Sequence, residues 1–261
     1  MGLVPDVFNE RYLKELGEGT MALGHTRYSG SSLRANCQPL VVRHVKGPMA
    51  VAHNGAISNA PQLRRELELS GAIFHTTSDA EIISYIITKA RLTSPSIESA
   101  IEKAMDQLEG AYSMVIMSPR KMIAVRDPHG FRPLCMGKLD DGTVIFASET
   151  CALNTLGAHW VRDVEPGEII VLDQNGMRSI TTHCNTKQHG LCVFEFVYFA
   201  RPDSIVDGVS LGSDAFFPFG DNMNAQEEAA FAMLHSPAAL SATHRLSKPA
   251  TNITWSWRLP A

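Results

Sequence analysis

The chain has 261 residues, of which 44% are hydrophobic and 19% are charged, and its formal net charge is −4. This composition allows a substantial core in one or two domains and argues against global disorder. No basic block or basic-aromatic stripe favours nucleic acid, and no apolar run of about 18 residues predicts a membrane span. Five irregularly spaced cysteines without a CxxC pair predict reduced thiols in the cytoplasm rather than disulfides or a zinc site.

The first predicted elements are a short helix, three strands and an amphipathic helix. The helix spans residues 9–16, and a strand over 20–30 ends in a polar turn. Strands 39–45 and 49–55 are joined by Lys46-Gly47-Pro48, which is a hairpin signal. The next helix is capped by Asn59, has Pro61 in its first turn and stops at Gly71.

Two further helices precede a series of strands. Ser78-Asp79-Ala80-Glu81 has the spacing of a capping box, and the helix that it opens carries isoleucines on one face. The next helix follows Pro95 and ends at Gly110. The strands predicted after it are 112–118, 122–127, 143–148, 168–173 and 177–182. Strands, two long helices and then more strands predict an α+β layered fold with antiparallel sheets, not a βαβ repeat.

The composition changes after about residue 210. The segment 211–261 is rich in Ala, Ser, Thr and Pro, and one helix is predicted in it, over 225–234. We therefore predict a domain over 1–210 and a divergent tail of low order over 211–261.

Polar residues near the ends of these elements form a candidate site. Asn54 and Gly55 follow an apolar strand, and an amide side chain beside a bare backbone N–H suits a developing oxyanion. Asn-Gly is equally the commonest turn pair. Arg27 offers a planar fork for a carboxylate, or is an ordinary structural arginine. Asp79 could hold an ammonium group, although the dipole of the helix that it opens already explains a carboxylate there.

An oxyanion site requires a nucleophile, and the cysteines are the obvious candidates. Cys135 and Cys151 lie in or beside apolar strands, where buried inert thiols are the default. Cys184 and Cys192 flank a polar stretch, and Cys37 lies ten residues after Arg27. None has neighbours that indicate a lowered thiol pKa.

Taken together, the motifs resemble a known family, the glutamine phosphoribosylpyrophosphate amidotransferases, over roughly residues 1–210. The stretches that carry the resemblance are GHTRYSG, NCQPLVV, AHNGAISNAPQLRREL, TTSDAE, GAYSMVIM, VRDPHGFRPLCMGKL, FASETCAL, VRDVEPGEIIVL and FEFVYFARPDSIVDGVS. HNG, TTSD and EPGE mark the wider class of glutamine amidotransferases with an N-terminal nucleophile. FEFVYFARPDS looks like the bridge from the glutaminase domain into a phosphoribosyl domain.

The resemblance implies an incomplete four-layer αββα sandwich of the N-terminal-nucleophile hydrolase type, with two antiparallel sheets. It implies that Arg27 holds the α-carboxylate of glutamine, that Asp79 holds the α-ammonium group, and that Asn54 and Gly55 stabilise the oxyanion. The complete enzyme would use glutamine-derived ammonia and phosphoribosyl pyrophosphate to make phosphoribosylamine, the first committed step of purine synthesis. The family is homo-oligomeric and uses magnesium with phosphoribosyl pyrophosphate.

The chain also departs from the family pattern. The family nucleophile is an N-terminal cysteine whose own α-amino group is the base, and none of the five cysteines lines up with it. The RYSGSS loop looks two residues short, and no phosphoribosyl segment follows residue 210. Some relatives bind an iron–sulfur cluster, and Cys192 lies where one ligand would be, but one thiol cannot hold a cluster, so we expect no cofactor in this chain.

Three functions follow from this resemblance and its gaps. We expect an inactive fragment of the amidotransferase; the alternatives are a non-catalytic glutamine-binding module and an unrelated enzyme that uses Cys37 as its nucleophile.

Overall fold

The computed structural model describes residues 4–16, 19–27, 34–190, 192–211 and 229–234. The strands are β1 (Met21–Thr26), β2 (Leu40–His44), β3 (Gly47–Ile57), β4 (Gly110–Ser118), β5 (Lys121–Arg126), β6 (Cys135–Lys138), β7 (Val144–Ala147), β8 (His159–Asp163), β9 (Ile169–Asp173), β10 (Gly176–Ile180), β11 (Ile205–Val206), β12 (Val209–Ser210) and β13 (Ala229–Leu234). The helices are α1 (Val4–Val7), α2 (Glu10–Leu16), α3 (Ala60–Leu69), α4 (Asp79–Thr93), α5 (Ile97–Met105) and α6 (Thr150–Leu156). None of the helices in these ranges is long and apolar enough to cross a membrane.

Two antiparallel sheets form the centre of the part that the structure describes. One has the strand order β10-β9-β5-β4-β3-β2, and the other has the order β1-β13-β7-β6-β8. The predicted hairpin is confirmed as β2 and β3, which pair from Leu40↔Val51 to His44↔Gly47. The predicted strands after residue 110 are also confirmed, with shifts of one or two residues at their ends.

Three apolar clusters define four layers. The first packs α3, α4 and α5 against one face of the six-stranded sheet, and the second fills the space between the two sheets. The third packs α6 on the outer face of the five-stranded sheet. Alternation along β4 illustrates this division, because Met114 and Ile116 face the helices while Val115 and Met117 face the other sheet. The order is αββα, as the resemblance implied.

The tail contains one element that the sequence interpretation had wrong. Residues 229–234 form strand β13, which lies between β1 and β7, whereas a helix was predicted over 225–234. The alanine-rich sequence favours a helix locally, but pairing on both sides satisfies the backbone of a strand and overrides that preference. The expected low order of the remaining tail falls outside the described residues.

Helix ends follow the sequence signals only in part. Ser78 caps α4 by accepting from Ala80 N at 3.3 Å, but Glu81 does not close the predicted capping box. Its carboxylate instead accepts from the backbone N–H groups of His75 and Thr76. The helix that was predicted to end at Gly110 stops at Met105, because Gly110 begins β4.

Asn59 also acts differently from the prediction. It precedes α3 but makes no side-chain cap of that helix. Its amide donates to Gln107 O at 2.9 Å and accepts from Glu109 N at 3.2 Å. The side chain thus ties α3 to the chain that enters β4.

The segment 192–211, which contains the FEFVYFARPDS stretch, is anchored to the sandwich by buried charges. It starts with a π-helix, Glu195–Phe199. Further along, Arg201 N and the Ser204 hydroxyl donate to the buried carboxylate of Glu149 at 2.9 and 2.8 Å. Asp207 forms a two-pronged pair with Arg126, which is 1% exposed.

We expect Ile116→Ala to lower the free energy of unfolding by about 2–5 kcal/mol, because Ile116 is fully buried under the helices. Val161→Ala on β8 is the matched control, since Val161 is 46% exposed and a surface change shifts stability by less than about 0.5 kcal/mol. Urea denaturation measures both values, and equal losses would contradict the assigned layer.

Candidate active site

Asn54 and Gly55 lie inside β3, not in a turn. They pair with Ser113 and Tyr112 of β4, and the strand continues to Ile57, so the hairpin-turn interpretation of this dipeptide is wrong. Gly55 has a φ of +132°, and an added Cβ would lie 2.1 Å from the carbonyl oxygen of Ala111. Only glycine can occupy this position without moving β4.

The Asn54 side chain is held in one orientation. It is 3% exposed and lies on the same face of β3 as Ala50 and Ala52, which face the space between the sheets. Its Oδ1 accepts a hydrogen bond from Nη2 of Arg132. Since a guanidinium only donates, the atom that faces it must be the amide oxygen. The Nδ2 group therefore points away from Arg132 as a donor.

Two histidines are buried, His53 next to Asn54 in β3 and His25 in β1. Burial, together with the charge of Arg27, lowers the pKa of His25 to about 4. Burial also lowers the pKa of His53 to about 3, assisted by the nearby His25, Arg132 and Arg27. Both rings are therefore neutral at pH 7 and add no charge to the site. The backbone of His53 is fixed by Gln38, whose amide accepts from His53 N at 2.7 Å and donates to His53 O at 3.2 Å.

Asp79 is brought to the same end of β3. As the first residue of α4, it accepts from Ile57 N at 2.9 Å through Oδ2. The loop before α4 is fixed by Asn36, which exchanges two hydrogen bonds with Thr77. The half-buried carboxylate therefore lies two residues beyond Gly55 along the strand, at the positive end of a helix.

Arg27 follows the last residue of β1 and is exposed. Its positive charge contributes to the lowered pKa of both His25 and His53. The structure thus brings Asn54, Gly55 and Asp79 together at one end of β3, and the charge of Arg27 acts on His53 there. Apart from Arg27, the RYSGSS stretch, residues 27–32, lies outside the described ranges, and so does its predicted shortening.

The sequence interpretation missed Arg132, which belongs to a loop built around a buried carboxylate. Asp127 is fully buried and accepts from the backbone N–H groups of His129, Phe131 and Arg132, and from Tyr112 N on β4. The motif VRDPHGFRPL contains this loop, but it contributed only to the family resemblance. No local pattern shows that Arg132 contacts a residue 78 positions away.

The cysteines show no sign of an activated thiol. Burial raises the pKa of Cys135 well above its usual range and that of Cys151 to about 12, and it also raises the pKa of Cys184. Cys37 is exposed and Cys192 is half-buried. Within the described residues, no group of three or more His, Cys, Asp or Glu side chains could hold a metal ion.

Comparison with known proteins identifies the family to which this geometry belongs. The sequence profile of the glutamine amidotransferase domain matches residues 25–155, which is half of the chain and includes Arg27, Asn54, Gly55 and Asp79. The chain belongs to the glutamine amidotransferase domain family.

Its curated relatives include amidophosphoribosyltransferases from archaea and plants. The chain is 44% identical over 213 residues to that of Archaeoglobus fulgidus and 43% identical over 228 residues to that of Methanocaldococcus jannaschii. It is 47% identical over 217 residues to the chloroplastic amidophosphoribosyltransferase 2 of Arabidopsis thaliana. Each match covers 81% of this chain but only 46%, 48% and 37% of the respective relative. The chain therefore spans less than half the length of these relatives.

A solved structure confirms the fold. The glutamine phosphoribosylpyrophosphate amidotransferase of Bacillus subtilis, complexed with ADP and GMP, matches with a TM-score of 0.65 and 39% identity. The match covers 71% of this chain and 40% of that one. The predicted sandwich of the N-terminal-nucleophile hydrolase type, with two antiparallel sheets, is thus confirmed.

We expect Gly55→Ala to destabilise the protein far more than Gly71→Ala. Both glycines have a positive φ, but an added Cβ at Gly71 meets nothing within 4 Å. Gly71→Ala should therefore cost only the backbone strain, about 1–2 kcal/mol. Gly55→Ala should cost at least ~2 kcal/mol more, because β4 must shift. Urea denaturation compares the two variants, and similar losses would disprove the close approach of β4.

Proposed function

We propose that this chain carries the glutamine site of an amidophosphoribosyltransferase. In that reaction, ammonia from the glutamine side chain joins phosphoribosyl pyrophosphate to give phosphoribosylamine, at the start of purine synthesis. The observation that carries the proposal is that Asn54, Gly55 and Asp79 meet at one end of β3, where the charge of Arg27 acts on His53. These residues lie in a chain that is 43–47% identical to amidophosphoribosyltransferases over four fifths of its length.

The chemistry of each residue suits one part of glutamine. The exposed guanidinium of Arg27 binds the α-carboxylate, and the half-buried carboxylate of Asp79 binds the α-ammonium group. The Nδ2 group of Asn54 and the backbone N–H of Gly55 donate to the side-chain carbonyl oxygen, where negative charge develops during attack on the amide. Because His25 and His53 are neutral, Arg27 and Arg132 provide the positive charge near this oxygen.

Hydrolysis also needs a nucleophile, and four of the five thiols of this chain are poorly suited to that role. Three have a raised pKa, which reduces the thiolate fraction at pH 7. Exposed Cys37 has no amine base of its own, unlike an N-terminal cysteine. We therefore propose that the 261-residue chain binds glutamine but does not cleave it. All five cysteines are unpaired, in keeping with a cytoplasmic protein. We also propose that the protein forms a homo-oligomer.

Titration calorimetry with millimolar glutamine tests the binding site. We expect wild-type binding, with a ten- to hundredfold loss in Arg27→Gln and in Asp79→Asn, because a hydrogen bond to a charged group contributes about 1.5–3 kcal/mol. Asp79→Asn retains an oxygen for Ile57 N, so the effect isolates the lost charge. Exposed Arg43 and Asp140 provide the matched controls Arg43→Gln and Asp140→Asn.

The absence of wild-type binding heat would overturn the proposed function. A glutamate-release assay on the same protein tests the second part of the proposal. We expect no turnover, and steady glutamate release would overturn the claim that the chain does not hydrolyse glutamine. Release that disappears in Cys37→Ser would identify Cys37 as the nucleophile.

A further inference from the structure

Arg132 connects Asn54 with the segment that follows the sandwich. One edge of its guanidinium, Nη2, donates to Asn54 Oδ1, and Nη1 forms an ion pair with Glu195 Oε1. Its guanidinium carbon also lies 5.2 Å from the ring centroid of Phe199. Glu195 and Phe199 are the first and last residues of the π-helix. Arg132 therefore contacts the candidate oxyanion site on one side and residues 195–199 on the other.

The backbone of Arg132 is also held in place. Its N–H donates to Asp127, and its carbonyl oxygen accepts from Nε of Arg126 at 2.9 Å. Arg126 in turn holds Asp207. With the backbone fixed, the orientation of the guanidinium depends on its side-chain partners, Asn54, Glu195 and Phe199.

We propose that Arg132 is a positioning residue for the Asn54 amide, and that Glu195 holds Arg132 in the required orientation. The packing of residues 195–199 thereby sets the donor geometry at the oxyanion site. This inference rests on the proposed function for the role of Asn54, but its test does not require glutamine to bind.

Electrostatics makes this connection sensitive to pH. The Glu195 side chain is 3% exposed, and its burial raises the pKa to about 7. The charged groups that act on it are Arg132 from the 127–132 loop, Glu149 before α6, and Arg126 of β5. Arg132 and Arg126 favour the carboxylate, whereas Glu149 disfavours it. Protonation near neutral pH removes the charge of Glu195 and releases one side of Arg132, while His25 and His53 stay neutral in that range.

The Asn54 side-chain amide provides a direct measurement. In the full ¹⁵N-labelled chain, its NH₂ signals are assigned by their loss in Asn54→Asp. We expect the wild-type signals to shift between pH 6 and 8 with a midpoint near 7. Glu195→Gln should abolish this titration, and Arg132→Lys should shift the signals at every pH because lysine lacks the planar fork.

Glu168→Gln is the matched control. Glu168 is also 3% exposed and pairs with an arginine, Arg162, away from Asn54. This variant should keep the wild-type titration of the Asn54 signals. If Glu195→Gln fails to fold, Phe199→Leu tests the other contact between Arg132 and the π-helix. It should change the Asn54 signals without removing a charge, and unchanged signals would overturn the positioning role.

The outcomes separate this inference from the proposed function. Asn54 signals that titrate identically in wild type and Glu195→Gln, or that do not change in Arg132→Lys, overturn the positioning role even when glutamine binds. Signals that behave as expected in a protein that gives no binding heat uphold the positioning role and overturn the proposed function. When glutamine does bind, Arg132→Lys should weaken its affinity about tenfold and Glu168→Gln should leave it unchanged.

Discussion

Strand β3 passes so close to β4 at Gly55 that an added Cβ would lie 2.1 Å from the carbonyl oxygen of Ala111. The rest of the site depends on this approach. Because residue 55 has no side chain, β3 keeps its pairing through Asn54 and on to Ile57. Ile57 can then donate to Asp79, and Asn54 stays on the face that lies between the sheets. A strand that turned away at Asn54 would bring neither contact to this end of the sheet.

The helical layer and most of the central strands could be predicted from hydrophobic periodicity. Leu63, Ile82 and Ile101 share the cluster under the helices, because a 3.6-residue period reports directly which face is buried. The elements β6, α6 and β8 were not predicted, since the stretches CMGK, TCALNTL and HWVRD carry no apolar run like VIFA in β7 or IIVLD in β9. Strand β13 was predicted as a helix because its pairing with β1 and β7 depends on residues distant in the sequence.

The residues of the candidate site also fall into those that the sequence could identify and those that it could not. Asn54, Gly55, Arg27 and Asp79 could be identified because each lies in a short, recognisable motif, and their roles remain predictions. Arg132 and Glu195 could not, because their importance comes from contacts across the fold rather than from local spacing. Arg132 lies in VRDPHGFRPL and Glu195 lies in FEFVYFARPDS, two distinctive stretches to which no complete helix or strand was assigned from the sequence. A charged residue in such a stretch is a reasonable candidate for a buried ion pair.

The ion pair between Arg132 and Glu195 also affects the donor strength of Asn54. A guanidinium that donates to Oδ1 polarises the amide, and hydrogen bonds in series strengthen one another in a medium of low dielectric constant. The Nδ2 group therefore becomes a better hydrogen-bond donor, which is what the proposed role of Asn54 requires. Glu195 balances the charge of Arg132, so the buried guanidinium is paired while its second edge remains directed at Asn54. The same contacts thus fix both the direction and the strength of the Asn54 donor.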